Sequence, residues 1–202
     1  MWGRGTAFVL DWKARAYLVS CYHVFGSSLG DASFKRSGRT VGLAAHPLPL
    51  KGRMADFGAR SSPYDLAVIP IARLDAASRH FKLAAQPPLV GQPVWLFCLP
   101  WNHPRDEADL AFNALNGNPD AGSEETQTSY VAAIVTRSSN KALEFVYDAA
   151  PDITMTSGAP ILDQNGDVVG INVGMTMEGG RGVGLATPYS ALADALERYG
   201  SD

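Results

Sequence analysis

The chain has 202 residues, 46% hydrophobic and 18% charged, with 17 Lys+Arg against 20 Asp+Glu and a net charge of −3. That is enough chain for one domain, or two small subdomains, around a real core, and the composition is that of a soluble globular protein. It argues against a basic nucleic-acid binder, since the basic residues are scattered with no run longer than Lys35-Arg36, and no apolar stretch is long enough for a membrane-crossing helix.

The N-terminus runs almost directly into a strand, without the charged and apolar regions of a signal peptide. The expectation is therefore a cytoplasmic protein, or a domain cut from a longer chain. Residues 5–12 and 14–20 read as a hairpin across Asp11-Trp12-Lys13, with Leu18-Val19-Ser20-Cys21-Tyr22-His23 as an apolar strand ending in a histidine. Residues 26–40 are polar and Gly/Ser-rich, hence a loop. Residues 41–50 hold a strand interrupted by Pro47 and Pro49, and residues 53–63 form a loop that delivers Asp65. Asp65 then precedes Leu66-Ala67-Val68-Ile69, a buried-strand pattern. Residues 74–79 fit a short helical turn.

Residues 86–93, with Pro87, Pro88 and Pro93, read as a crossover ahead of a strand over 94–99. Residues 101–128 are polar and patternless, as a flexible loop would be. Strands follow over 130–136 and 142–147. Thr156-Ser157-Gly158-Ala159-Pro160 is a tight turn carrying one hydroxyl. Beyond it lies a hairpin signalled by Asn165-Gly166, with the β-branched run Val168–Val173 as its return strand. Residues 175–182 read as a Gly-rich loop. Residues 190–199 place Leu192, Ala195 and Leu196 at helical spacing and predict a C-terminal helix. Strands without a long 3.6-residue period predict an all-β chain.

The chemistry lies in three residues. A serine hydroxyl needs a base within hydrogen-bond reach, and His23 is the candidate base for Ser157. Asp65 would accept a hydrogen bond from the other imidazole nitrogen and fix its tautomer. The order His23, Asp65, Ser157 is one of the known triad orders. Its spacings leave room for one barrel ahead of the serine and one around it. Cys21 and Cys98 lie on different strands and read as two reduced, buried thiols.

With Gly5-Thr6-Ala7-Phe8-Val9, Ser20-Cys21-Tyr22-His23, Asp65-Leu66-Ala67-Val68, Met155-Thr156-Ser157-Gly158-Ala159-Pro160 and Gly184-Leu185-Ala186-Thr187-Pro188 in that order, the chain resembles the chymotrypsin-fold serine peptidases. It looks closest to the bacterial Deg-type (HtrA-like) proteases, without sequence left for a PDZ module. The resemblance implies two six-stranded antiparallel β-barrels and a short C-terminal helix. The implied layout is an N-terminal barrel over 1–85, the crossover over 86–93, a C-terminal barrel over 94–188 and the helix over 189–202. It implies catalytic His23, Asp65 and Ser157, and an oxyanion hole from the backbone N–H groups of Met155 and Ser157. It implies a substrate pocket framed by Pro151, Val173, Gly174, Met175, Gly182 and Gly184, with the glycines leaving it open. In the Deg-type proteases the region matching 101–128 carries regulatory or substrate-contacting loops.

Two residues depart from the family pattern: Met155 replaces a glycine, and Val173 replaces a Ser or Thr whose hydroxyl supports the aspartate. The expected activity is that of a serine endopeptidase acting through an acyl-enzyme on polypeptide substrates. No metal or cofactor is needed, and no nucleic-acid or membrane partner is expected. Intracellular trypsin-like domains in bacteria often accompany sensor or defence modules, which by analogy alone leaves room for a regulatory partner or sensor module. The alternative is a pseudo-peptidase, weak or inactive, serving as a peptide-binding or scaffold module. A non-protein acyl hydrolase with the same triad is a third reading.

Overall fold

The computed structural model describes residues 5–25, 40–43, 46–49, 64–71, 80–98, 129–148, 151, 153 and 156–199. The loops expected over 53–63 and 101–128, the helical turn expected over 74–79, and the loop expected over 26–40 apart from Thr40, which opens a strand, lie outside the described residues, as do Asp152 and Met155.

The chain is mostly β, as its apolar runs predict. Strands β1 (Ala7–Trp12) and β2 (Arg15–Ser20) pair antiparallel, with Ala7 opposite Ser20 and Trp12 opposite Arg15. Their turn is Lys13-Ala14, one residue later than the sequence suggests. Both residues have positive φ, 46° and 64°, the backbone that a two-residue hairpin turn demands. No glycine or asparagine marks this turn in the sequence. After β2 comes the single-turn helix α1 (Tyr22–Phe25). Strands β3 (Thr40–Leu43) and β4 (His46–Pro49) form a separate antiparallel pair. Strand β5 (Ala67–Ile71) pairs antiparallel with β2, and β6 (His80–Lys82) runs parallel to β1, giving a four-stranded sheet in the order β5-β2-β1-β6.

The second half closes on itself. Strands β7 (Pro93–Cys98), β8 (Ser129–Ser138), β9 (Leu143–Tyr147), β10 (Pro160–Leu162), β11 (Val168–Glu178) and β12 (Arg181–Pro188) form a closed barrel in the order β10-β11-β12-β9-β8-β7. Closure removes exposed sheet edges. On β9 the alternation is strict: Leu143, Phe145 and Tyr147 are buried and Glu144 and Val146 are less so. The span expected as a Gly-rich loop over 175–182 is instead strand on both sides of a two-residue turn. Only Gly179 and Gly180 turn, both at positive φ, and the arms continue to Glu178 and from Arg181. The tip is solvent-exposed, so no apolar alternation betrays the strands in sequence.

The chain ends in helix α2 (Tyr189–Tyr199). Leu192, Ala195 and Leu196 are buried, one stripe of the helix as their spacing requires. They join a core cluster with Phe8, Leu10, Tyr17, Val19 and Val68 of the N-terminal sheet and Leu162, Val168 and Ile171 from the barrel wall. A second cluster fills the barrel, with Val94, Leu96, Val135, Phe145, Tyr147, Ile161 and Val169. The seam between the two halves also carries Ala84 N–H donating to Val168 O at 3.0 Å. No helix among the described residues is long and apolar enough to cross a membrane.

Candidate active site

The β2–β5 pairing places the first two candidates together. Ser20 lies opposite Ala67, so the residues just beyond each strand end, Tyr22-His23 and Asp65, face one another. Asp65 Oδ1 accepts the His23 backbone N–H at 2.9 Å, and Asp65 Oδ2 is bonded to His23 Nδ1. A carboxylate on Nδ1 leaves Nε2 as the imidazole nitrogen free for proton transfer. The pair is partly exposed, with His23 the more open of the two side chains.

Ser157 sits on the turn between Ile153 and β10. The turn is tied down on every side by backbone bonds. Thr156 N–H donates to Ile153 O at 3.2 Å, Ala159 N–H to Thr156 O at 2.9 Å, and Gly158 N–H to Asn172 O at 2.7 Å. The Ser157 carbonyl accepts Thr6 N–H at 2.8 Å, which brings the residue ahead of β1 against the Ser157 turn. Two glycines make that approach feasible. A Cβ on Gly5 would lie 2.7 Å from Ser157 O. Gly158 has φ +88°, and a Cβ there would run into Thr6 O and Ser20 Oγ, which are themselves hydrogen-bonded at 2.6 Å.

The serine hydroxyl does not meet the histidine. Ser157 Oγ donates to the Val173 carbonyl at 3.0 Å, and no His23–Ser157 hydrogen bond exists among the described residues. The structure thus joins His23 to Asp65 and places Ser157 on its own turn with its hydroxyl turned aside. Of the expected oxyanion-hole donors, Met155 lies outside the described residues, and Ser157 N–H has no acceptor among them.

The expected pocket residues fall around β11 and β12. Gly174 pairs with Leu185, Met175 with Gly184 and Met177 with Gly182 across the β11–β12 ladder. Pro151 is half-buried, and Val173 packs on the first core cluster. The two glycines of β12 do not border open space as expected. A Cβ on Gly182 would lie 2.6 Å from Met175 Sδ and 3.2 Å from the Tyr147 ring, and one on Gly184 would enter the Phe145 ring. Their missing side chains make room for neighbours, while Gly174, of the three glycines expected in the pocket, borders space clear to 4 Å.

Cys21 is a buried free thiol that donates to Asn172 O at 3.2 Å. Burial pushes its pKa well up, and the Asp65 carboxylate pushes it further, against a smaller opposing backbone interaction with Gly158. Cys21, His23 and Asp65 each offer a ligand atom within 4.8 Å of the others, a spacing that a metal ion tolerates. The donor chemistry fits poorly: the thiol is held protonated, whereas a metal takes the thiolate, and His23 Nδ1 is engaged by Asp65.

A scan against protein families matches residues 5–171 to the trypsin-like peptidase domain, a span that includes His23, Asp65 and Ser157. The chain belongs to the trypsin-like peptidase domain family. Similar folds among solved structures are chymotrypsin-like. The inactive form of the Rv3671c protease is 17% identical with a TM-score of 0.58, covering 98% of this chain and 84% of that one. An inactive serine-to-alanine mutant of Rv3671c from M. tuberculosis H37Rv is 18% identical, TM-score 0.52, over 98% and 82%. Human heparin binding protein is 13% identical, TM-score 0.61, over 97% and 85%. No curated protein matches the chain. As a trypsin-like peptidase domain, the chain has the expected chymotrypsin fold, with a closed six-stranded C-terminal barrel and a C-terminal helix; of the expected N-terminal barrel the described residues form a four-stranded sheet in which β1 and β6 run parallel.

Sequence reading missed one set of residues at this site. Thr156 and Asn172 are fully or almost fully buried, and Asn172 Nδ2 donates to both Thr156 O at 3.2 Å and Thr156 Oγ1 at 2.9 Å. The available signal was an amide within the apolar run Val168–Val173, since a buried polar side chain needs partners.

Proposed function

We propose that the chain is a serine endopeptidase that hydrolyses polypeptides through an acyl-enzyme on Ser157. The observation that carries this reading is His23 held by two hydrogen bonds to Asp65, in a chain of the trypsin-like peptidase family. In this mechanism His23 Nε2 takes the Ser157 proton as Oγ attacks the scissile carbonyl. The tetrahedral oxyanion is held by backbone N–H groups, Ser157 and Met155 in the resemblance. His23 then returns the proton to the leaving amine, and a water molecule repeats the sequence on the acyl-enzyme. Asp65 holds the tautomer and stabilises the imidazolium.

Ser157 Oγ begins on Val173 O, so a rotation about its side-chain torsion must precede attack. That resting hydroxyl is the observation on the side of the second reading, a non-catalytic peptide-binding module of the same fold. Pro151, the apolar residue expected at the pocket base, and Val173 in its wall support small or medium apolar side chains at the cleaved position rather than long basic ones. A cytoplasmic setting and a regulatory companion module belong to the same proposal.

A peptide-library digestion tests the reading. Cleavage that disappears in Ser157→Ala and in His23→Ala is expected. Intact peptides after prolonged incubation with wild-type protein would favour the binding module, and a profile dominated by Arg or Lys would overturn the pocket assignment.

A further inference from the structure

We propose that Asn172 and Thr156 form a buried positioning pair that presents the Ser157 N–H to the oxyanion. The proposal deepens the endopeptidase reading and rests on it.

Asn172 is the hub of the nucleophile turn. Its backbone N–H donates to Ala159 O at 2.9 Å, and its carbonyl accepts Gly158 N–H and the Cys21 thiol, so β11 grips both the serine turn and the segment leading to His23. Its side chain reaches one residue further, to Thr156 O and Thr156 Oγ1. Thr156 Oγ1 in turn donates to Ile153 O at 2.7 Å, spanning the turn. The donor direction is unambiguous. Thr156 O can only accept, so the amide nitrogen must face the threonine.

The consequence follows from peptide geometry. In a trans peptide the C=O of Thr156 and the N–H of Ser157 point in opposite directions. The C=O is drawn inward by Asn172 Nδ2 and Ala159 N–H. The Ser157 N–H must then point away from the core, and it has no acceptor among the described residues. An N–H held outward beside the nucleophile is what an oxyanion donor requires. The pair is also kept against stability. Asn172 is wholly buried and its Oδ1 has no partner among the described residues, a cost that an apolar side chain in β11 would not incur. What offsets that cost is the pair of bonds its nitrogen makes to Thr156.

The test uses Thr156→Val, which removes the hydroxyl but keeps the shape, with Thr156→Ser as the rescue. Measured are kcat and KM on a cleaved peptide, the rate of fluorophosphonate labelling, and the melting temperature. Thr156→Val should lower kcat and the labelling rate about tenfold or more, part of the loss seen when an oxyanion donor is deleted outright. KM should stay within about twofold, because ground-state binding does not use this donor. Thr156→Ser should recover most of the lost kcat. A lowered melting temperature with unchanged kcat, or a loss that serine does not rescue, would reduce the pair to a structural bond and overturn the proposal. Wild-type protein that neither labels nor turns over would instead overturn the endopeptidase reading, and the proposal with it.

Discussion

The hydroxyl of Ser157 donates to the carbonyl of Val173 at 3.0 Å, while His23 is bonded to Asp65 and not to Ser157. His23 and Asp65 are joined, and the Ser157 hydroxyl is committed elsewhere. If this is the resting state of a working nucleophile, reaction must break the Val173 bond. A crystal structure of the phosphonylated protein is expected to show Ser157 Oγ moved off Val173 O. An adduct with that bond intact would mean that Oγ is not the reacting atom.

Asp65→Asn tests the His23 tautomer. The amide still fits the space and can accept the His23 backbone N–H, so the melting temperature should change little. Turnover should fall on the order of 10³–10⁴-fold, because the imidazole loses the acceptor that fixes Nδ1–H. An unchanged rate would remove Asp65 from the mechanism.

Gly158→Ala tests the packing behind the Ser157 turn. The residue sits at φ +88°, and an added methyl meets Thr6 O and Ser20 Oγ, a wall of backbone and of a hydrogen-bonded hydroxyl. Left-handed strain and overpacking together should cost about 3 kcal/mol or more in denaturant unfolding. A loss below about 1 kcal/mol would mean that the turn can shift freely.

Much of this site was legible in the chain. His23 and Asp65 each abut an apolar run, and the two runs pair in the register that brings them together. Ser157 and Gly158 stand on a turn backed by the Asn165-Gly166 hairpin, and Gly166 adopts the positive φ that the motif implies. What was not legible depends on partners distant in sequence. Asn172 looks like one polar residue in a strand until Thr156 is seen beside it. Gly182 and Gly184 suggest an open pocket until Met175, Tyr147 and Phe145 fill the space. The β11–β12 arms are exposed at their ends, so neither alternation nor burial marks them in sequence.

Ala14→Gly tests the β1–β2 turn. Ala14 has φ 64° and no side chain worth keeping there, so glycine relieves left-handed strain of about 1 kcal/mol, partly offset by its greater unfolded-state entropy. A small gain in unfolding free energy is expected. A loss would show that Lys13-Ala14 is not held in the left-handed region.

Cys21 gives a pH dependence. Burial raises its thiol pKa in the folded state, with the Asp65 carboxylate adding to the effect. The stability it contributes is complete below the unfolded thiol's pKa of about 8.5 and is lost as pH rises above it, at up to about 1.4 kcal/mol per pH unit. Cys21→Ala should flatten the fall in stability above that pH. Equal slopes in the two proteins would contradict the buried neutral thiol.

Mass-spectrometric mapping of the fluorophosphonate adduct tests the central claim most directly. The account predicts one adduct on wild-type protein, on the peptide containing Ser157, and none on a folded Ser157→Ala variant. Wild-type protein left unmodified, or an adduct that persists in Ser157→Ala, would contradict it.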